Sequence, residues 1–305
     1  MSLLDSSHTH GGRAADRRRL GIALALICAL MAGEVAGGIV AHSLALLSDA
    51  GHMLTDAAAL GAALAAATLA ARPARGKWTF GLGRAEILAA QGNGIALLLV
   101  AGWVVYAALR RLVSPPAVDG GIVLALALAG VAVNLVATLV LAGADRSSLN
   151  VRGAFLHLAT DLAAFAGTAV AGGLILLTGW NRFDPVAALL VAALMIRSSW
   201  VLLRESGRIF LEASPAGIDP DAVARSLAAE ADVVEVHDLH VWTVTSGFPA
   251  LAAHVLVEPG VDCHDARRRL QRVLEEQFGL RHTTLQVDHV ARRAQDVRLG
   301  ALHRG

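Results

Sequence analysis

Cysteine is almost missing from this chain: Cys28 and Cys263 are its only two in 305 residues. One sits in an apolar run and the other in a polar one, so a disulfide framework is excluded and a reducing compartment is acceptable. Cys28 reads as a small buried hydrophobe. Charge is also scarce, at 17% of residues, and it is gathered at the start, in short connectors and after about Arg204. The long tracts without charge exclude an ordinary soluble domain for the first two thirds of the chain. No excess of basic residues stands out, with 26 Lys and Arg against 25 Asp and Glu, so nothing argues for a nucleic-acid partner.

What is present is apolar surface. Hydrophobic residues make up 55% and the mean hydropathy is +0.57. Runs of spanning length predict six helices, at about 20–41, 44–71, 85–112, 120–143, 151–178 and 185–203. Arg17, Arg18 and Arg19 ahead of LGIALALICALMAG resemble a secretory signal, but the apolar run is too long for one and further spans follow. Arg17–Arg19, Arg72, Arg75, Lys77, Arg84, Arg146 and Arg152 fall on one side with the basic tail, and Arg110, Arg111 and Arg182 on the other. That bias places both termini in the cytoplasm. Alanine and glycine dominate the spans and favour close helix packing in lipid. Trp103, Tyr106, Trp180 and Trp200 read as interfacial anchors, and Pro115-Pro116 and Asp184-Pro185 as punctuation of external connectors.

After Glu212 the pattern changes. Asp219–Glu230 reads as a capped amphipathic helix, Val234–Thr245 and Ala250–Glu258 as strands around Ser246-Gly247-Phe248-Pro249, Asp262–Phe278 as a helix and Thr283–Val290 as a last strand. The order αββαβ predicts a small α+β domain of two layers. The domains expected are a tail at 1–19, a six-helix membrane domain at 20–211, a cytoplasmic domain at 212–291, to which the resemblance described below adds metal binding and dimerisation, and a tail at 292–305.

Inside the apolar tracts one pattern occurs twice: His52-x-x-x-Asp56 and His157-x-x-x-Asp161. A four-residue step puts each His and Asp on one helix face, so two neighbouring helices can aim two imidazoles and two carboxylates at one point. An ionised Asp at the centre of a span costs about 2.5–3.5 kcal/mol even on the mildest scales. A divalent cation, or protons once it leaves, supplies the compensation. Nitrogen and oxygen donors in that number suit zinc.

The stretches LLSDAGHMLTDAAAL (46–60), TFGLGRAEILAA (79–90), NVRGAFLHLATDLAAF (150–165), VHDLHVWTVTSG (236–247) and HTTLQVDH (282–289) resemble the zinc-transporting branch of the cation diffusion facilitator family. The resemblance runs from about Leu20 to His289. It implies a homodimeric metal-ion/proton antiporter, not an enzyme, with six transmembrane helices, a ferredoxin-like cytoplasmic domain and a transport site at His52, Asp56, His157 and Asp161. Two His with two Asp is similar to the family's zinc-preferring arrangement, with cadmium or cobalt as alternatives. Neutral imidazole binds metal and imidazolium does not, and a histidine's ordinary pKa of about 6.5 lets external protons expel the ion during alternating access. The bilayer is then the inner membrane of a bacterial cell. A membrane-anchored zinc sensor is the competing reading, although an anchor needs no ligands in two spans.

The tail is rich in histidine. His237, His254, His264, His282 and Asp288 are candidate zinc ligands, with His240 and His289 beside them. The resemblance implies a cytoplasmic zinc cluster matched best by His237, His254 and Asp288; Gln286 stands where a bacterial pattern has His, and His282 is the substitute. A further family site between the second and third spans has no match, since residues 72–83 hold neither His nor Asp. Arg84 and Glu212 match a charge pair that interlocks the family's dimer. His8 and His10 read as part of an unstructured tail.

Overall fold

The computed structural model describes residues 28–142, 149–245 and 247–290, with no side chains described over 137–159. The two expected tails, the basic residues Arg17, Arg18, Arg19 and Arg146, His8, His10, Ser246 and the side chains of Arg152 and His157 lie outside the described residues. The chain forms two compact units, one from residues up to Ala62 and from Ala90–Leu203, the other from Ala63–Ala89 and Arg204 onward.

Six apolar helices come first: α1 (Cys28–Val40), α2 (Leu44–Ala70), α3 (Arg84–Val113), α4 (Gly120–Ala142), α5 (Leu149–Thr178) and α6 (Phe183–Phe210). Among the described residues, α2, α3, the Thr160–Thr178 part of α5, and α6 are long and apolar enough to cross a membrane; Cys28–Val40 and Gly120–Val136 are shorter apolar stretches. Large side chains such as Leu60, Leu64, Leu99, Trp103 and Trp200 face outward, as they do where lipid is the solvent. Cys28 is exposed on this outer surface, not buried as expected, because lipid-facing positions need no packing partner.

Between the helices the core is built from small residues, among them Ala45, Ala101, Ala108, Ala164, Ala188 and Ala192, around Leu44, Leu97 and Met195. Small side chains let backbones approach where lipid supplies no hydrophobic drive for association. The α4/α5 contact depends on this. A Cβ on Gly172 would come within 2.7 Å of the Leu124 backbone nitrogen.

Asp184, expected to be connector punctuation, is instead fully buried and caps α2. Its carboxylate accepts hydrogen bonds from the Ser43 hydroxyl at 2.5 Å and from the Leu44 and Ala45 amides at 2.8 and 3.2 Å, and Arg111 Nη1 lies 3.6 Å away. A carboxylate at a helix N-terminus satisfies orphan N–H groups and opposes the positive end of the dipole. The sixth helix also runs past its expected end at 203 to Phe210. Arg204, Glu205 and Arg208 end the apolar run but are good helix formers, so composition marks the end of the span and not of the helix.

The second unit holds α7 (Pro220–Ala228), β1 (Val233–Thr245), β2 (Phe248–Val257), α8 (Cys263–Phe278) and β3 (His282–His289). The αββαβ order is as expected. The sheet order is β1-β2-β3, with β1 antiparallel and β3 parallel to β2. Leu251, Ala253, Val255 and Val257 of β2 pack on Val223 and Leu227 of α7 and Leu270 and Leu274 of α8. Asp219 caps α7, Asp262 caps α8, and Gly279 closes α8 at φ 68°, a left-handed position that suits glycine. Arg84 Nε donates to the Val244 carbonyl at 2.9 Å, and its Nη2 lies 3.5 Å from Glu212 Oε1, so this charge pair closes within one chain.

Two caps give measurable consequences. Asp184→Ala leaves the Ser43 hydroxyl and two amides without their acceptor and Arg111 without its counter-ion, and should cost about 3–5 kcal/mol. A clearly lowered melting temperature in detergent, partly restored by Asp184→Asn, is the expected result. At Asp262, the amides of His264 and then Asp265 hold the carboxyl below the usual carboxylate range. Its contribution is present above the carboxyl's unfolded pKa and is lost as pH falls through the depressed folded value. The melting-temperature gap between the native protein and Asp262→Ala should therefore be open at neutral pH and close in acid.

Candidate metal centres

Along α2 a polar stripe interrupts an otherwise apolar helix: Asp49, His52 and Asp56 follow at steps of three and four, one above another on one face. His52 is buried, with its Nε2 3.8 Å from Asp56 Oδ2 on the same helix and 3.7 Å from Asp161 Oδ1 on α5. The side chains of Asp56 and Asp161 keep 29% and 22% of their surface, so water and ions reach them while the imidazole stays packed. Thr55 Oγ1 donates to the His52 carbonyl at 2.7 Å. One nitrogen and two carboxylates from two helices thus converge on one point. His157 belongs to the same helix as Asp161, four residues before it, and its side chain lies outside the described residues.

A second cluster lies on the sheet. His237 of β1 and His254 of β2 are directly paired across the strands, their rings 5.4 Å apart at 88°. With Asp238 they offer three ligand atoms within 4.8 Å of one another. Asp238 Oδ2 is 3.5 Å from His254 Nδ1. His237 Nδ1 is buried with no hydrogen-bond partner, and Glu235 Oε1 is 3.6 Å from it. An imidazole nitrogen left in this state beside two further donors fits a zinc ion.

Asp238 was not among the sequence candidates, because strand alternation sends neighbours to opposite faces. The backbone breaks that rule here. Asp238 has φ 50°, and the β1/β2 register shifts between His237 and His240, a bulge that returns Asp238 to the side of His237. The other tail candidates are elsewhere. Asp288 accepts from Gln286 Nε2 at 2.8 Å and lies opposite Leu256, while Gln286 is the residue opposite His254. His264 is exposed in the first turn of α8, where its amide donates to Asp262. His282 stands edge-on to Phe248 and Phe80, with centroids 5.0 and 6.4 Å away. His240 is exposed opposite Ala252. His289 lies 3.6 Å from Cys263 Sγ and 2.9 Å from the Val261 carbonyl.

Two family models match the chain: the cation efflux transmembrane domain over residues 20–211, and the cation efflux protein cytoplasmic domain over residues 215–290. Among curated proteins, the zinc transporter ZitB of Escherichia coli is 39% identical over 93% of this chain and 91% of its own. The cadmium, cobalt and zinc/H(+)-K(+) antiporter of Bacillus subtilis is 38% identical over 92% and 91%, and the metal cation efflux system protein CzcD of Cupriavidus metallidurans 38% over 93% and 90%. A solved structure, the metal-bound C-terminal domain of that CzcD transporter, is 31% identical over 23% of this chain and 97% of its own, with a TM-score of 0.22.

Proposed function

The chain belongs to the zinc-transporting branch of the cation diffusion facilitator family, and from that premise we propose that it exports zinc from the cytoplasm in exchange for protons by alternating access, with His52, Asp56, His157 and Asp161 as the ligands of the transported ion. The observation that carries the assignment is the buried His52 between carboxylates of two helices, at 3.8 and 3.7 Å. An anchor for a soluble sensor has no use for a charged cluster of this kind in its spans, since each carboxylate there carries a cost that only a function repays.

The cycle follows from the donors. With the site open to the cytoplasm, neutral imidazoles and ionised carboxylates take the divalent ion. Its charge cancels theirs and permits the helices to rock. Facing the other side, protons compete for the same imidazoles, and an imidazolium repels the ion it held. We place the protein in the inner membrane as a homodimer with both termini cytoplasmic, a membrane domain over 20–211, a cytoplasmic domain over 212–291 and tails at 1–19 and 292–305. His237, Asp238 and His254 are the residues we assign to a regulatory zinc ion in the cytoplasmic domain. His264, His282 and Asp288, expected from the sequence as ligands, lie in other contacts.

Purified protein in liposomes under an imposed pH gradient tests the transport site. Asp161→Ala should reduce zinc uptake to background, because losing one ligand of four also strips compensation from its neighbours. Native rates in a well-folded Asp161→Ala protein would overturn the site. His52→Asp swaps a borderline donor for a hard one and should raise cadmium or manganese transport relative to zinc. An unchanged ratio would mean that pocket shape sets selectivity. For the cytoplasmic site, zinc should raise the melting temperature of the native protein more than that of the His237→Ala/Asp238→Ala/His254→Ala variant, by linkage of binding to folding. The variant's transport should be weakened without being abolished.

A further inference from the structure

Glu34 is a fully buried acid of the helical unit and has no role in the site described above. It sits in α1 with 0% of its surface exposed, and neither carboxyl oxygen has a hydrogen-bond donor. The group beside it is another acid. Asp49 of α2, 2% exposed, stands against Glu34, and Asp49 Oδ2 also lacks a donor.

Two ionised carboxylates cannot share one dry site; like charges this close hold a proton between them. The proton supplies the donor that both side chains lack, with one carboxyl O–H directed at the other carboxylate. Asp49 stands one helical step from His52 and interacts electrostatically with His52 and Asp161, whereas Glu34 sits on another helix and, among the described residues, interacts with Asp49. Asp49 therefore links the pair to the metal centre.

We propose that Glu34 is a second proton-binding site of the exchanger, coupled through Asp49 to the metal centre. Zinc entering between His52, Asp56 and Asp161 raises the positive potential at Asp49. The Glu34 O–H bond then breaks, its proton leaves to water, and both carboxylates stand ionised beside the new divalent charge. Zinc departure reverses the step: a proton from the opposite side returns to Glu34. The pair is then doubly ionised only while the divalent ion stands nearby, and part of the proton count of the cycle resides outside the ligands themselves.

The inference rests on the transport site proposed above, and its test separates the two. Full-length protein carrying His237→Ala, Asp238→Ala and His254→Ala is titrated with zinc in detergent under weak buffering, and proton release is followed with a pH dye beside the zinc isotherm. Glu34→Gln, which copies the protonated acid and can donate to Asp49, should bind zinc within about threefold of the parent and release about one proton fewer per ion. Glu34→Asp should restore release. Should Glu34→Gln fail to fold, Asp49→Asn in the same assay must lower proton release as well. Undiminished release with intact zinc affinity overturns the proposal, because a purely structural proton would stay bound throughout. A parent that binds no more zinc than its Asp161→Ala derivative overturns the transport site, and this inference with it.

Discussion

A carboxylate in hydrocarbon must find a positive partner, a proton or water, and that constraint organises the helical unit. Each buried acid meets it differently. Asp184 is answered by the N-terminus of α2, the Ser43 hydroxyl and Arg111, a permanent arrangement that fixes where α2 begins. Asp56 and Asp161 both approach His52 and keep partial access to water, an arrangement open to exchange. Glu34 and Asp49 stand against each other with no hydrogen-bond donor at either Glu34 oxygen or at Asp49 Oδ2. The same chemistry thus gives one structural anchor at Asp184 and, in our proposal, two groups that change partners.

The anchor and the site are joined by α2. From the capped end at Leu44 to His52 the helix rises by about 12 Å, so a clamp at one end sets the depth and rotation of the ligands. The small-residue core around Ala45, Ala101, Ala164 and Ala188 keeps the neighbouring helices close enough for Asp161 on α5 to meet His52 on α2. Such packing is shallow and made of similar steps, which suits helices that shift against one another without unfolding. The cytoplasmic unit is built otherwise, with a core of leucine and valine between sheet and helices. That packing is specific enough to hold His237, Asp238 and His254 in fixed positions on the sheet.

How much was legible in the sequence depended on whether the signal was local. The His-x-x-x-Asp spacing exposed His52, Asp56 and Asp161 because a helix converts a four-residue step into a shared face. The αββαβ order was legible from the capped amphipathic helix, the alternating runs and the turn between them. Glu34 and Asp49 were not, since their meeting depends on how α1 packs against α2. Asp184 looked like a turn residue because its partners lie some 140 positions away. Asp238 was hidden by a bulge that reverses strand alternation, and Asp288 was preferred on family pattern although its place in the parallel register puts it opposite Leu256. Charge told where the sixth span ends but not where its helix does.

The central claim is that imidazole and carboxylate donors within the membrane hold the transported ion. Zinc K-edge X-ray absorption on the full-length protein, with His237, Asp238 and His254 replaced by alanine, reads those donors directly. The account predicts one tightly bound zinc with about four nitrogen and oxygen neighbours near 2.0–2.1 Å and the outer-shell scattering of imidazole. A six-coordinate ion surrounded by oxygen alone, with no imidazole signature, would contradict it.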